Sequence, residues 1–459
     1  MIREATLGEF VARRSRGIVP NATPDTSFEL YSVPAFDAKK PDIVPGSAIG
    51  SNKQIVEPGT VLLCKINPRI NRAWTVGSFT RQQKIASTEW ITFPPHPDVE
   101  PRYLTYYLSQ NKIRDYLASK ASGVGGSLMR VKPSTVEDLP VQLPEVDEQR
   151  FIVAEIEKQF SRLDEAVAGL MRVTANLKRY RARVFQAAVE GHLVSTEAEL
   201  SRRKGRDYET GDQLLSHIKK ERCAVWEKRN AGARKKKYLE PMPSDKSVIP
   251  QLPEGWTWAT WDQIGLSQNG RAFPSADYSE AGVKLLRPGN LHEGGRLLWT
   301  SQNTRHMPKQ YEQQNADLIV RGGELVMNLT AQSLKDEFLG RVCLTDVNEH
   351  CLLNQRLARL TPVLVLPEFA LVVFKSTSFR RFVDGLNTGS LIQHMFTSQL
   401  ARFPVPLPPL AEQRRIVLEV NRKMSITEDI ETQLTRNKTR GQFMRQVILA
   451  RAFGASVAA

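Results

Sequence analysis

The sequence predicts an α+β fold: two α/β globular domains separated by two long antiparallel coiled-coil helices, built as an internal pseudo-two-fold duplication. Three observations carry this. "LPEVDEQRFIV" (Leu143–Val153) recurs as "LPPLAEQRRIV" (Leu407–Val417), 264 positions later. Each copy opens a stretch of about 40 residues with the apolar spacing of one long helix. Each is preceded by about 140 residues of short apolar runs broken by Gly, Pro and Asn, the pattern of a compact mixed domain.

The bulk numbers fit more than one domain. At 459 residues, with 41% hydrophobic and 25% charged residues, the chain is long enough for two to four. Its net charge of +15 points to a polyanionic partner, most simply nucleic acid, against the alternative of a basic protein with no such partner. Cys64, Cys223, Cys343 and Cys351 form no CxxC pair and have no His cluster beside them, which disfavours a zinc site and a disulfide framework. "MIREATLGEF" has no apolar leader pattern, and no run of about 18 apolar residues occurs anywhere. A cytoplasmic protein is expected.

The duplication extends upstream of the opening motif. "ATLGEF" from Ala5 is matched by "ATWDQI" from Ala259, and "VEPGTVLL" from Val56 by "VRGGELVM" from Val320. "GGSLMR" (Gly125–Arg130) is matched by "TGSLIQH" (Thr388–His394), each shortly before its LP motif. "GTVLLCKI", "STEWITF", "ELVMNL" and "RLARLTPVLVL" are strand candidates. "RYLTYYLSQNKIRDYL" (Arg102–Leu117) and "EFALVVFKSTSFRRFV" (Glu368–Val383) read as amphipathic helices in corresponding places. The boundaries drawn from this are a first domain over 1–142, a long helix with its leading turn over 143–195, a charged linker with a short helix over 196–251, a second domain over 252–406 and a second long helix over 407–459.

From Glu148 to about Val189 there is no Pro. Val153, Ile156, Phe160, Leu163, Val167, Leu170, Leu177, Val184 and Ala188 follow alternating three- and four-residue steps. That is a heptad seam and predicts a coiled-coil helix, a rod of roughly 60 Å. Thr174 and Arg181 interrupt the seam; they either fix register or mark where it opens to solvent. The second helix, Glu412 to about Phe453, carries a looser stripe with Gly441 inside it. Asp147, Glu148 and Glu412 stand in the first turns, where the helix dipole favours acids, and the prolines break the preceding strand.

Residues 201–237 hold 13 Lys/Arg against 5 Asp/Glu. "GDQLLSHIKKERCAVWEKRN" within this stretch reads as a short helix, and the basic run Arg234–Lys237 either binds phosphate or is a solvated linker. No catalytic pattern stands out. GxxxxGK[ST], HExxH, GxSxG and an Asn/Asp-Pro-Pro-aromatic tetrad are all lacking, which favours a binding protein over a self-sufficient nuclease or methyltransferase.

The chain resembles the specificity subunits of type I restriction-modification systems (HsdS-like) over essentially its whole length. The carrying residues are "DLPVQLPEVDEQRFIV" (Asp138–Val153), "RFPVPLPPLAEQRRIV" (Arg402–Val417), "LKRYRARVFQAAVEGHL" (Leu177–Leu193), "KYLEP" (Lys237–Pro241) and "LPEGWTWATW" (Leu252–Trp261). The first copy departs from the doubled pattern by reading LPEVDEQ, with one proline fewer. The resemblance implies a non-catalytic DNA-recognition subunit whose two globular segments are target-recognition domains. Each would read one half of a bipartite, asymmetric site on double-stranded DNA, with the helices as spacer. The partners it implies are two methyltransferase (M) subunits and restriction/translocase (R) subunits, which would carry S-adenosylmethionine, ATP and Mg2+ in place of this chain. Two other readings are a recognition subunit serving a related modification enzyme and a standalone coiled-coil interaction protein with no sequence preference.

Base edges are read best by Arg, Lys, Asn and Gln, and phosphates are held by Lys, Arg, Ser and backbone N–H groups. On that basis the DNA-binding candidates in the first domain are Arg69, Asn71, Arg72, Arg81, Gln82, Gln83, Lys84, Ser127 and Arg130. Those in the second are Arg271, Gln332, Ser333, Lys335, Asn354, Gln355, Arg356, Ser390, Gln393 and His394. Near-identity of the two LP segments suggests a shared docking surface beyond helix initiation, formed by Pro144, Glu148, Gln149, Pro408, Pro409, Glu412 and Gln413. No metal-binding or catalytic residue is expected.

Overall fold

The computed structural model describes residues 3–12, 16–123, 129–230, 238–243, 250–332, 337–386 and 393–454. They form two compact units: residues 1–172 with 433–459, and residues 173–432.

In the first unit the opening strand Arg3–Thr6 pairs antiparallel with Pro140–Leu143, the strand that ends at the LP motif. Between them lie two sheets. One has the order Gly17–Ile18, Lys53–Ile55, Gln83–Ser87, Ser27–Tyr31, Asp42–Pro45. Its Ser27–Tyr31 and Gln83–Ser87 strands are parallel. The other has Val61–Cys64 between Ala73–Thr75 and Trp90–Phe93. "STEWITF" is therefore a strand end, a turn at Thr88–Glu89 and a new strand, not one strand.

The second unit repeats this plan. Thr257–Thr260 pairs antiparallel with Pro404–Leu407. One sheet runs His306–Met307, Val283–Leu286, His350–Leu353, Ile319–Arg321, again with one parallel pair, Val283–Leu286 with His350–Leu353. The other runs Gly265–Asn269, Leu357–Pro362, Leu325–Asn328, Val342–Leu344. Strands Val61–Cys64 and Pro140–Leu143 recur at Leu325–Asn328 and Pro404–Leu407 with the 264-residue spacing of the sequence repeat. "ATLGEF" and "ATWDQI" are the same device: Thr6 N–H donates to Glu9 Oε1 at 2.9 Å and Thr260 N–H to Gln263 Oε1 at 2.9 Å. Each pair turns the first strand into a short helical turn.

Both expected domain helices are split in two. In the first unit they are Pro101–Leu108 and Asn111–Lys120; in the second, Pro367–Phe374 and Thr377–Gly385. The break has a local cause in the second unit, where the Ser376 hydroxyl accepts from Phe379 N–H at 3.2 Å and restarts the helix. Helix Pro367–Phe374 is not amphipathic but mostly buried, with Phe369, Ala370, Val372, Val373 and Phe374 in the core. Phe374 sits edge-on to Trp261 at 4.9 Å and to Phe379 at 5.0 Å between ring centroids.

The stretch expected to be a charged linker with one short helix holds that helix and a second one before it. Helices Glu197–Lys204 and Gly211–Asn230 form there, and Leu214 and Ile218 are buried in the core of the second unit beside Trp256 and Ala259. The basic run Arg234–Lys237 lies outside the described residues. Cys64, Cys223, Cys343 and Cys351 are free thiols.

The long helices span Val146–Val189 and Leu410–Ala452. In the first unit they pack antiparallel: Ile156 is buried against Ile448 and Leu449, with Phe160 and Leu163 alongside. Gly441 explains its place in the stripe, because a Cβ there would lie 3.3 Å from Val167 Cγ2. In the second unit Val184, Ala188 and Val189 share a core with Ile416 and Val420. Arg181 fills its seam position with polar contacts, donating to Thr427 Oγ1 at 3.1 Å and pairing with Glu431 at 3.1 Å. Thr174 is exposed.

Replacing Ile156 by Ala should destabilise the protein by about 3 kcal/mol in a denaturant melt, as large-to-small changes in a packed seam do. The exposed Leu418, on the second long helix, should tolerate Ala within about 0.5 kcal/mol.

Candidate nucleic-acid interface

Each copy of the repeated segment joins a paired strand to a long helix. Gln149 is 0% exposed. Its Nε2 donates to the Asp98 and Pro144 carbonyls, both at 2.8 Å, and its Oε1 accepts from Glu100 N–H at 2.9 Å. Glu100 is the N-cap of helix Pro101–Leu108. Gln413, also 0% exposed, makes the matching set: Nε2 donates to the Pro408 carbonyl at 3.0 Å and Oε1 accepts from Leu366 N–H at 3.1 Å. Leu366 is the N-cap of helix Pro367–Phe374. Each glutamine thus clamps the turn before a long helix to the start of its own domain's helix.

The expected docking role is corrected accordingly for these two side chains, which have no surface to offer. Pro144, Pro408 and Pro409 are buried as well. The Pro409 carbonyl accepts the Glu412 and Gln413 N–H groups at 2.9 and 3.0 Å, closing the first helical turn. Glu148 is exposed, whereas Glu412 is 0% exposed and accepts from Glu197 N–H at 2.7 Å and Trp256 Nε1 at 3.0 Å. Burial pushes the Glu412 carboxyl up from its ordinary pKa. Neighbouring Glu197 is also buried, but hydrogen bonds from Arg206 and Arg415 outweigh desolvation and hold it below the usual carboxylate range.

In the second unit the structure gathers the polar loops of the sequence reading at one place. Gly270 N–H donates to Leu357 O at 2.9 Å, Arg271 N–H to Leu353 O at 3.2 Å and Leu329 N–H to Arg356 O at 2.9 Å. Thr330–Ala331 pairs with Gln393–His394. Segments 269–271, 329–332, 354–356 and 393–396 are therefore cross-linked by main-chain bonds. Gly270 is required by the closeness, since a Cβ there would meet Asn354 O at 2.1 Å. Arg271, Gln332, Gln355, Arg356 and His394 are exposed, and Asn354 and Gln393 half-buried. Arg271 Nη1 is engaged by Asn315 Oδ1 at 2.9 Å, and His394 Nδ1 lies 3.0 Å from Thr330 Oγ1. Exposed Phe396 stands beside them, its ring edge-to-face with His394 at 4.6 Å. Candidates chosen for hydrogen bonding alone omit it.

The first unit divides its candidates between two sheets. Arg69, Asn71 and Arg72 occupy the link from Val61–Cys64 to Ala73–Thr75, where Asn67 and Asn71 take left-handed φ of 48° and 49° and present Arg69 outward. Asparagine tolerates that conformation better than most residues. Arg130 joins this link: it bridges Ile66, and its guanidinium reaches Glu89 at 3.0 Å. Arg81, Gln82, Gln83 and Lys84 belong to the other sheet. Lys84 is corrected, because its ammonium is buried 3.4 Å from Glu29 and donates to the Thr80 and Gln82 carbonyls, supporting the loop from beneath. Arg81 and Gln83 remain exposed. Asn71 Oδ1, Arg72 Nε and Gln82 Oε1 are buried with no hydrogen-bond partner among the described residues. Ser127, Ser333, Lys335 and Ser390 lie outside the described residues.

Arg130 and His394 are counterparts in the two units. Val131 N–H donates to Lys65 O at 2.9 Å, and Met395 N–H to Leu329 O at 3.0 Å. Lys65 and Leu329 are themselves 264 residues apart. The next residues, Lys132 and Phe396, are the N-caps of the short helices Pro133–Glu137 and Thr397–Leu400. One frame thus carries Arg–Val–Lys in the first unit and His–Met–Phe in the second.

Among the described residues no group of three or more His, Cys, Asp or Glu could hold a metal ion, and no helix is long and apolar enough to cross a membrane.

No family model matches the sequence. The chain is 26% identical over 272 residues to the Escherichia coli type I restriction enzyme EcoAI specificity subunit, covering 59% of this chain and 43% of that protein. It is 25% identical over 209 residues to the MjaVIII specificity subunit of Methanocaldococcus jannaschii, covering 44% and 48%. A third match, to the EcoDI specificity subunit of E. coli, is 20% identical and covers 76% and 68%. The chain spans about half the length of the first two. A solved structure described as the type I R-M system, concerning complex assembly and conformational transition, superposes with a TM-score of 0.64 at 19% identity, covering 98% of this chain and 97% of that one. The HsdS subunit from Thermoanaerobacter tengcongensis gives 0.52 at 18%, covering 99% and 97%. In sequence and fold the chain is HsdS-like.

Gln149→Ala and Gln413→Ala should each destabilise the protein by about 2–4 kcal/mol in a urea titration, because each strands a buried proline carbonyl and breaks the bond to a half-buried backbone N–H. Glu197→Gln should lower stability at pH 7. The folded pKa of Glu197 is depressed, so its contribution is present above the unfolded carboxylate range and lost as pH falls through the folded value. The difference from wild type in thermal melts should accordingly shrink toward acid.

Proposed function

We infer that this chain, HsdS-like in sequence and fold, is the DNA sequence-specificity subunit of a type I restriction-modification complex. Each unit carries a target-recognition domain, residues 1–142 in the first and 252–406 in the second, for one half of a bipartite, asymmetric site on double-stranded DNA. The observation that carries this reading is the repeated frame with unlike surface chemistry: the same strand plan and glutamine clamp occur twice, while the loops they present differ. A duplicated frame suits the pseudo-two-fold symmetry of the duplex, and unlike loops suit two different half-sites. The net charge of +15 favours the approach to phosphate.

The two long helices act as an antiparallel coiled-coil spacer that sets the unread distance between half-sites. Their exposed faces, with the exposed Glu148, dock two methyltransferase subunits, and restriction subunits join that assembly. Chemistry belongs to these partners, as do S-adenosylmethionine, ATP and Mg2+; this chain supplies recognition alone, in the cytoplasm. Arg69, Arg81 and Gln83 in the first domain and Gln332, Gln355, Arg356 and His394 in the second are the exposed side chains best placed to meet DNA.

Sequencing of methylated adenines in a host carrying the complete system should return one bipartite motif with a fixed gap. Inserting or deleting one heptad in both long helices should change that gap while leaving both half-sites unchanged. A gap of unaltered length would reject the spacer role, and the absence of any bipartite motif would reject the function.

A further inference from the structure

The repeated frame identifies a reader that hydrogen-bonding criteria pass over. Phe396 is 57% exposed, a large apolar ring standing in a cluster of polar loops. Its position is held on both sides. Met395, before it, is 0% exposed and bonds Leu329 O through its N–H at 3.0 Å. The Phe396 N–H donates to Gln399 Oε1 at 2.8 Å. The His394 ring packs edge-to-face on it at 4.6 Å and is itself held near Thr330 Oγ1 at 3.0 Å. The neighbouring turn is tied in as well, Asn269 Nδ2 reaching Thr397 Oγ1 at 3.5 Å.

A ring so fixed and left in water is not explained by folding: it fills no core, and its backbone would be held equally well with a polar side chain. The first unit demonstrates this, because the same frame position there is Lys132, exposed, after a buried Val131. Two domains that share a mounting therefore differ in chemistry at one exposed point, cationic in one and aromatic in the other. In a major groove the apolar feature offered to a protein is the 5-methyl group of thymine, and aromatic side chains contact it.

We propose that Phe396 is a specificity-determining residue of the second domain, contacting the 5-methyl group of one thymine in that domain's half-site. The proposal rests on the DNA-recognition function inferred above. Deoxyuridine differs from thymidine only by that methyl group and is the probe. With the chain assembled with its methyltransferase subunits, methylation kinetics are measured on duplexes carrying the site identified by sequencing, each thymine of the second half-site being replaced singly by deoxyuridine. For wild type, one replacement should lower kcat/KM about fourfold, the size expected for one methyl-sized group. Phe396→Ala should lower kcat/KM on the thymine duplex by a similar factor and lose all sensitivity at that position, with the first half-site and the gap unaltered. Phe396→Leu, which keeps an apolar face, should retain the discrimination. The proposal is overturned if no replacement matters to wild type, if Phe396→Ala still discriminates, or if Phe396→Leu melts like wild type yet no longer discriminates. Absence of any bipartite methylated motif in the wild type would instead remove the functional reading, and this proposal with it.

Discussion

Turning a strand into a long helix inside a packed domain exposes a problem that the whole architecture must solve. The turn leaves backbone N–H and carbonyl groups in a dry place, where each needs a partner. Gln149 and Gln413 solve it twice in the same way. An amide side chain carries both donors and an acceptor, so one residue can join the carbonyl of the turn to the N–H at the start of another helix. Glutamate could not donate, and leucine could do neither. The strand pairs Arg3–Thr6 with Pro140–Leu143 and Thr257–Thr260 with Pro404–Leu407 lead directly into these turns, so the direction of each long helix is tied to the sheet beside it.

On this foundation the two units diverge in what they present. Lys84 and Glu29 hold one loop of the first unit by a buried ion pair. In the second, main-chain bonds draw four loop segments together. Support of a loop and exposure at a loop are separate jobs, and residues of the same type do both. A lysine in a promising loop can be scaffolding, while a phenylalanine with nothing obvious to bind can be the exposed feature.

Much of the plan was legible in the sequence because it depends on local patterns. The repeated LP motif located the starts of both long helices to within two residues, and the seam from Val153 to Ala188 reported the first of them. What was not legible depends on distant partners. Nothing near Gln149 says that it meets Glu100, nor near Gln413 that it meets Leu366, so their repetition suggested a shared surface instead of a shared interior. Lys84 was misjudged for the same reason, since Glu29 lies 55 residues away. Composition misled in the linker, where Leu214 and Ile218 sit among charges yet reach the core. The four loops of the second unit could be listed from sequence as polar segments, but their convergence is a property of the sheet register.

Arg181 has a consequence for precision. It meets Thr427, Glu428 and Glu431 on the second long helix. A slip of one heptad would set it against Leu434, Thr435 and Lys438, or against Val420, Asn421 and Met424. The first places cation near cation and the second sets the guanidinium beside Val420 and Met424 with no carboxylate in reach among these three, so both displaced registers lose the ion pairs. Seven residues of helix are roughly 10 Å. A purely aliphatic stripe can tolerate such an offset; one arginine in it disfavours the displaced registers of the helix pair around it.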